Sequence, residues 1–523
     1  MQKTKLLFGI HCSQPVGTPD HVYQAAYERA YLPLLKTLES HPRVKFAAHY
    51  SGTLYDWFRR NRPEFLELVR KLVKRGQLEL LTAGYYDPIL SSIPEEDRLG
   101  QIQMASDFIR EQFLRPPRGL WLTGGIWEPS LPRILSQAGV EYVLIDRERF
   151  LRAGIPPEEL DGYYVTDELG DTVKAFPVSR GLEQGSGTIA FVGEGEHLQE
   201  NGELERLVSL LDQNVEFTTF SNYLDDYPAQ GKVYLSAGNG DFRNVFIKRP
   251  EADRVHKKML QVSGLLQTLG RGRSLFGGGK KEEDLKKARL ELYRGQCGCV
   301  YGEKSIDLDH SRQAVYSHLI KAEREIERLS RGGRPFVELT ISDFDKDGED
   351  EVILSNDLLN LYFSPARGGA LFELDYKPKA INLVDTKFSL VDNFFGPDES
   401  GISDFASGRY HFLPRRQGAE VNLRLSREGR VQGAPVKVEK SVSLFGKHSI
   451  FTVEYEVSNL GSDPDEFWFG IELNLGKLVD EGSGFEVLFE FDKPALPERF
   501  PSWKFKLEPK QAWRLRVTVR IEE

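Results

Sequence analysis

The sequence predicts an α/β domain built on parallel strands, then a helical stretch, then an all-β domain. Three observations carry this expectation. Up to about residue 260, short apolar β-rich runs alternate with longer helical patterns, the signature of parallel strands joined by crossover helices. From about Ala252 to Leu329 the pattern is helical, with apolar positions at three and four spacing in Ala314 to Leu329. After Arg331-Gly332-Gly333 the texture changes to alternating strands. A chain of 523 residues exceeds one compact core, so the predicted domains are 1–251, 252–332 and 333–523.

The strands of the first domain are predicted near Lys5 to Ile10, Lys45 to Tyr50, Leu78 to Ala83, Gly119 to Thr123, Tyr142 to Ile145, Val173 to Pro177, Ile189 to Val192 and Val233 to Ser236. Their spacing suits a (β/α) barrel or an open α/β sheet, and in either fold chemistry belongs at the strand C-termini. His11, Tyr85 to Asp87, Gly124 and Glu194 all follow such a strand, so one mouth can hold them. Gly272 to Lys281 interrupts the helical stretch, but Ser274 and Lys281 break the GxxxxGK[ST] pattern of a phosphate loop. In the last domain, Glu351 to Leu354, Asn360 to Phe363, Val436 to Val442 and Ile450 to Val457 read as strands of a β-sandwich.

Composition narrows the partner. With 69 Lys plus Arg against 79 Asp plus Glu the net charge is −10, which suits neither nucleic acid nor an anionic membrane surface. No stretch approaches the roughly 20 apolar residues of a membrane helix, and nothing at the N-terminus reads as a signal peptide. Cys12, Cys297 and Cys299 are too few for a disulfide framework and lack CxxC spacing. Cytoplasmic residence is the expectation, and the sequence leaves homo-oligomerisation open.

Four segments carry chemistry. His11-Cys12-Ser13-Gln14-Pro15 places an imidazole and an amide past the first strand, suited to hydroxyl groups. Gly76-Gln77-Leu78-Glu79 and Gly84-Tyr85-Tyr86-Asp87-Pro88 bring one carboxylate inside a strand and another beside two tyrosines. Burying Glu79 unpaired is expensive, which argues for a role in a site. Trp121-Leu122-Thr123-Gly124-Gly125-Ile126-Trp127-Glu128-Pro129 ends a strand between two indoles able to stack on sugar faces. Gly193-Glu194-Gly195-Glu196-His197 follows another strand. Taken singly, His11, His49, Trp121 and Trp127 also suit a core, Glu128 a helix start, and Glu194 a solvated turn. Together, aromatics and carboxylates with few basic groups describe a neutral-glycan cleft.

These segments resemble the motifs of glycoside hydrolase family 57, the 4-α-glucanotransferase and α-amylase family, over nearly the whole chain. Ile10 to Pro15 is similar to IHNHQP, Gly76 to Glu79 matches GQLE, and Ala83 to Pro94 resembles AGFYEPVLAAIP. Trp121 to Pro129 resembles WLTERVWxP, and Phe191 to Gln199 lies where the family has xHDDGEKFG. Phe246 to Leu260, Asp343 to Glu351, Gly368 to Leu374 and Phe469 to Leu475 resemble the helical and sandwich regions. The resemblance implies a distorted seven-stranded (β/α) barrel, a helical subdomain completing the cleft and a C-terminal β-sandwich. It implies substrate contacts at His11, Gln14, Glu79, Tyr85, Asp87, Trp121, Trp127 and Glu196.

The departures carry as much weight. The family's retaining scheme uses the glutamate of WLTER as nucleophile and an aspartate of DDGEKFG as acid and base. Here those positions fall on Gly124 and Glu194; a shift of one would place Gly193 at the second. Glycine cannot form a covalent glycosyl-enzyme. Ser13 replaces a histidine of the first motif, and Leu198 and Gln199 replace FG. Gln296 to Asp307 departs from QCNDAYWHG, and Ala237 to Asn244 is shortened. Three functions compete: an α-glucan (maltooligosaccharide) binder that is a catalytically impaired relative, an active hydrolase or transferase with Glu194 as general acid and a relocated second carboxylate, Glu79 or Asp87, and a structural or assembly protein with a vestigial cleft. No cofactor is required. Asp343, Asp345, Asp347, Gly348 and Glu351 have a spacing that suits calcium, against a solvated acidic turn as the plain alternative.

Overall fold

The computed structural model describes residues 3–182, 187–198, 202–237, 242–273, 279–302, 308–384, 386–396, 403–475, 484–496 and 500–523. Gln199, residues 238–241 of the shortened stretch, residues 274–278 of the glycine-rich interruption and residues 303–307 lie outside the described residues. The chain divides into two compact units: residues 1–252, 259–263 and 292–315, and residues 253–258, 264–291 and 316–523. The helical stretch at 252–332 is shared between them.

The first unit is a closed barrel. Its strands are β1 (Thr4–Cys12), β2 (Phe46–Tyr50), β3 (Leu78–Leu80), β4 (Gly119–Leu120) and β5 (Tyr142–Asp146), then an arm strand β6 (Tyr164–Glu168), then β7 (Asp171–Arg180) and β8 (Thr188–Glu194). β1 pairs with β2 and β2 with β3. A parallel bridge between Thr82 and Leu120 carries the ring on to β4, which pairs with β5. β5 pairs with β7, β7 with β8, and β8 returns to β1, all in parallel. Seven strands thus close the ring among the described residues, with β6 lying antiparallel outside it on β7. Short strands rich in apolar residues suit this arrangement, because each is covered on both faces.

Two strands escape the sequence pattern, β6 and β9 (Val215–Thr218), while Val233 to Ser236 forms no strand and the pairing there is made by β10 (Gly231–Lys232) on β6. β9 has a structural task. It pairs with the first half of β1, Thr4 to Leu7, whereas β2 pairs with the second half, Gly9 to Cys12. The chain leaving β9 is therefore delivered to the barrel floor, where helix Phe220–Asp226 packs Phe220 and Tyr223 among Leu7, Ala47, Leu81, Tyr142 and Phe176.

The second unit carries the all-β region. Strands β11 (Val337–Ser342), β12 (Glu351–Asn356), β13 (Leu359–Ser364), β14 (Ala370–Tyr376) and β15 (Ile381–Asn382) form one antiparallel sheet in that order. The remaining strands are β16 (Val391–Phe394), β17 (His411–Gln417), β18 (Glu420–Val431), β19 (Ala434–Phe445), β20 (Ile450–Asn459), β21 (Asp465–Glu472), β22 (Glu486–Phe491), β23 (Ser502–Leu507) and β24 (Ala512–Glu522). They build a six-stranded sheet ordered β17-β18-β19-β20-β24-β22 and a three-stranded sheet ordered β16-β21-β23. Along β19 every second residue is buried, so one face turns to a sandwich core that includes Val438, Val453 and Phe469.

A buried charge cluster holds this unit. Lys258 Nζ donates to Tyr362 Oη at 2.8 Å and meets Glu373 at 3.0 Å, Glu323 at 3.2 Å and Asp375. Burial opposes its charge, but Asp375 and Glu323 hold the lysine protonated. Removing one partner from such a cluster leaves uncompensated buried charge, which costs about 3–5 kcal/mol. Lys258→Met is therefore expected to lower the stability of this unit by that amount, read as a shift of its transition in urea denaturation.

Candidate functional site

The barrel's strand ends assemble a polar mouth. The register of β1 sets His11 beside His49 of β2 on one side and beside Glu194 of β8 on the other. The His11 ring stacks on Trp121, centroids 4.5 Å apart, and on His49 at 5.1 Å. The two Nδ1 atoms lie 3.0 Å apart, so one donates and the other accepts. Burial, with Arg180 adding to it, lowers His11 to about 3, and burial holds His49 well below its ordinary value. Both imidazoles are neutral at neutral pH.

Asp87 closes the far side of this network. Its backbone is left-handed, with φ at 50°, and its carbonyl accepts the Gly298 N–H at 2.9 Å. Its Oδ2 accepts the Ser13 hydroxyl, while Oδ1 stands 3.6 Å from His49 Nε2. Burial pushes this carboxyl up to about 7; the Ser13 hydrogen bond partly offsets that push and the Glu196 charge adds to it. Glu196 Oε1 accepts the Ser13 N–H at 3.3 Å and the Tyr31 hydroxyl, and burial raises its pKa as well. Gln14 Nε2 donates to Tyr31 Oη at 3.0 Å. His11, Gln14, Asp87, Trp121 and Glu196 thus come together, joined by Ser13 and Tyr31.

The rim holds a group that the sequence did not single out. Arg180, the last residue of β7, stands 3.9 Å from Asp146 and 3.9 Å from Glu194, with no hydrogen-bond partner among the described residues. A Cβ on Gly125 would lie 3.3 Å from its Nη2. Trp121, Leu122, Gly125, Leu144, Asp146, Val178, Arg180 and Val192 line a narrow cavity of about 20 Å³. Gly124 is exposed beside it with φ at 64°. Glu194, expected as the general acid, is exposed on the rim, with a side-chain exposure of 56%. Asp87 is a buried carboxyl of the mouth, and Glu196 is part-buried.

Three expected contacts are corrected. Trp127 is a core residue, 1% exposed, whose Nε1 donates to the Leu235 carbonyl at 3.1 Å, so its ring offers no face to a ligand. Tyr85 is buried and its hydroxyl donates to Asp56 at 3.0 Å. Glu79 lies on the floor, accepting the Tyr142 hydroxyl at 2.7 Å, the Ser221 N–H at 3.0 Å and the Ser221 hydroxyl. Glu79 is part-buried, and its partners come from β5 and from helix Phe220–Asp226 rather than from a ligand at the mouth.

In the second unit Asp343, Asp345 and Glu351 bring one oxygen each within 4.8 Å of one another. Asp343 Oδ1 is buried without a hydrogen-bond partner, and burial, with Asp345 adding to it, holds Glu351 up to about 7. This oxygen set fits a hard cation. Asp347, expected with them, instead pairs with Arg367 at 2.8 Å.

Residues 7–258 match the model of glycosyl hydrolase family 57. The chain is 30% identical to an α-amylase of Pyrococcus horikoshii, over 91% of this chain and 87% of that one. The chain belongs to glycosyl hydrolase family 57. Residues 240–326 match the middle domain of the α-amylase/4-α-glucanotransferase group, and residues 343–388 and 386–493 its C-terminal domain. A 4-α-glucanotransferase of Thermococcus kodakarensis is 29% identical over 97% of this chain and 94% of its own. That alignment extends over 652 positions, more than this chain has residues, so the relative carries insertions absent here. The crystal structure of the 4-α-glucanotransferase of Thermococcus litoralis superposes with a TM-score of 0.83 at 26% identity, covering all of both chains.

The raised carboxyl of Asp87 makes stability depend on pH. An unfolded aspartate loses its proton near pH ~3.9, whereas folded Asp87 keeps it to about 7. Across that window the unfolded state binds fewer protons, so stability falls as pH rises, by at most about 1.4 kcal/mol per pH unit, and levels off above it. Asp87→Asn, which retains an acceptor for Ser13, is expected to lose this slope in urea denaturation between pH 4 and 8. A slope equal to that of the wild type would show Asp87 to be ionised throughout.

Proposed function

We propose that this family 57 member binds α-glucan at its barrel mouth without forming a covalent glycosyl-enzyme. The observation that carries the reading is Gly124: the position that the motif resemblance assigns to the nucleophile bears no side chain, and its backbone is left-handed. The rim adds a second obstacle. A retaining glycosidase passes through an oxocarbenium-like transition state, and a guanidinium at Arg180, beside Gly125, opposes positive charge developing there. What is retained supports binding: the Trp121 ring, the Arg180 guanidinium and the carboxylates of Asp146 and Glu194 offer an aromatic face, donors and acceptors.

Each sugar hydroxyl exchanges water for a protein partner at a net gain of about 1 kcal/mol, so several contacts are needed to offset the cost of association. Binding of maltooligosaccharides is expected at micromolar to millimolar Kd, weakened by Trp121→Ala and read by titration calorimetry. The wild type is expected to redistribute no maltooligosaccharide above background. Gly124→Glu is expected to recover a trace at most, because its left-handed backbone costs a side chain about 1–2 kcal/mol and Ile126 stands 3.4 Å from the new Cβ. Ladder formation by the wild type, abolished by Glu194→Gln, would instead establish an active enzyme with relocated carboxylates.

The same reading extends to the second unit, where Asp343, Asp345 and Glu351 are proposed to hold calcium. An ion that binds only the folded chain raises its stability by mass action. Calcium is expected to raise Tm and a chelator to lower it; a melting curve unmoved by either would leave a plain acidic turn.

A further inference from the structure

The floor of the barrel opens into a cavity of its own. It has a volume of about 210 Å³, roughly the space of seven waters, and lies at the end where β3 and β4 begin, opposite the mouth. Val73, Leu78, Leu80 and Pro116 supply apolar wall; Glu79, Arg115, Arg118, Thr219, Ser221, Asn222 and Asp225 supply polar groups.

Three features set its chemistry. Glu79 is only partly buried, and three protein donors occupy its two oxygens, leaving one acceptor direction of a carboxylate's four. Arg118 is locked as a wall: it meets Glu141 at 2.7 and 2.9 Å and Asp225 at 2.9 and 2.8 Å. Arg115 stands exposed with no ion-pair partner among the described residues. The lining therefore balances two acids, Glu79 and Asp225, against two guanidinium groups, Arg115 and Arg118. A balanced lining disfavours a charged ligand of either sign. Alternating acceptors and donors around a small apolar wall match a compact neutral polyol.

We propose that this floor cavity is a second binding site, separate from the mouth, that holds one neutral hexose unit of an α-glucan or its free sugar. The choice of hexose rests on the α-glucan reading of the mouth; the existence of the site rests on the cavity alone. A unit held there is remote from the strand ends, so it tethers or reports sugar and takes no part in bond cleavage.

Maltose and glucose titrated into the full chain, followed by calorimetry and by hydrogen exchange, test the proposal. Expected is protection of residues 115–118 and 219–225 by both sugars, persisting in Trp121→Ala, in which mouth binding is weakened. Arg115→Ala combined with Asn222→Leu, both at exposed positions, is expected to weaken the floor site at least fivefold and to leave Trp121-dependent binding unchanged. Binding that depends on Trp121 with no floor protection would overturn the proposal and leave the mouth reading intact. Floor protection without any Trp121-dependent binding would uphold the proposal and overturn the mouth reading. No binding of either kind would overturn both.

Discussion

Closing seven short parallel strands into a ring leaves a floor to be filled, and the hydrogen bonds that Glu79 accepts from Tyr142 and Ser221 tie the filling in place. Helix Phe220–Asp226 can plug the ring only because β9 pairs low on β1 and hands the chain over at the right height. Phe220 and Tyr223 then complete the barrel interior from below. A carboxylate inside an apolar strand is tolerated because three donors meet it there, which removes most of the cost of taking it out of water. With the floor closed, the strand ends at the other side are free to carry polar side chains.

The mouth is a buried network in which protons matter more than charges. Two neutral histidines share a hydrogen bond, stacked on Trp121, and hand over to a carboxyl that burial holds near neutrality. Ser13 links that carboxyl to the part-buried Glu196, so two acids are bridged by one residue. The exposed charges, Arg180, Asp146 and Glu194, stand on the rim at separations too long for direct hydrogen bonds. An environment of this kind positions hydroxyl groups well.

Within family 57 the chain keeps the scaffold. Its relatives include enzymes named as α-amylases and 4-α-glucanotransferases, aligned over nearly their full lengths. The differences fall where the scaffold is indifferent to them. Gly124 is exposed, and a Cβ there would meet only Ile126 within 4 Å, so core packing does not depend on it. Stability here rests on the floor and on the Lys258 cluster of the second unit, neither of which involves Gly124.

The sequence by itself determined the strand-and-helix alternation, the all-β C-terminal region and the family resemblance, because these reside in local periodicity and in contiguous motifs. It also placed His11, Asp87 and Trp121 at strand ends, where short-range order puts them whatever the rest of the chain does. Only the tertiary structure decided which of the candidate residues meet. Glu79, Tyr85 and Trp127 lie in motifs beside the others yet face the floor, Asp56 and the core, because a strand or turn fixes a residue's height but the partners come from segments 29 to 142 residues away. Arg180 escaped notice for the same reason: an arginine ending a strand has no periodic signature, and its role is set by Gly125, Asp146 and Glu194 arriving from three other strand ends.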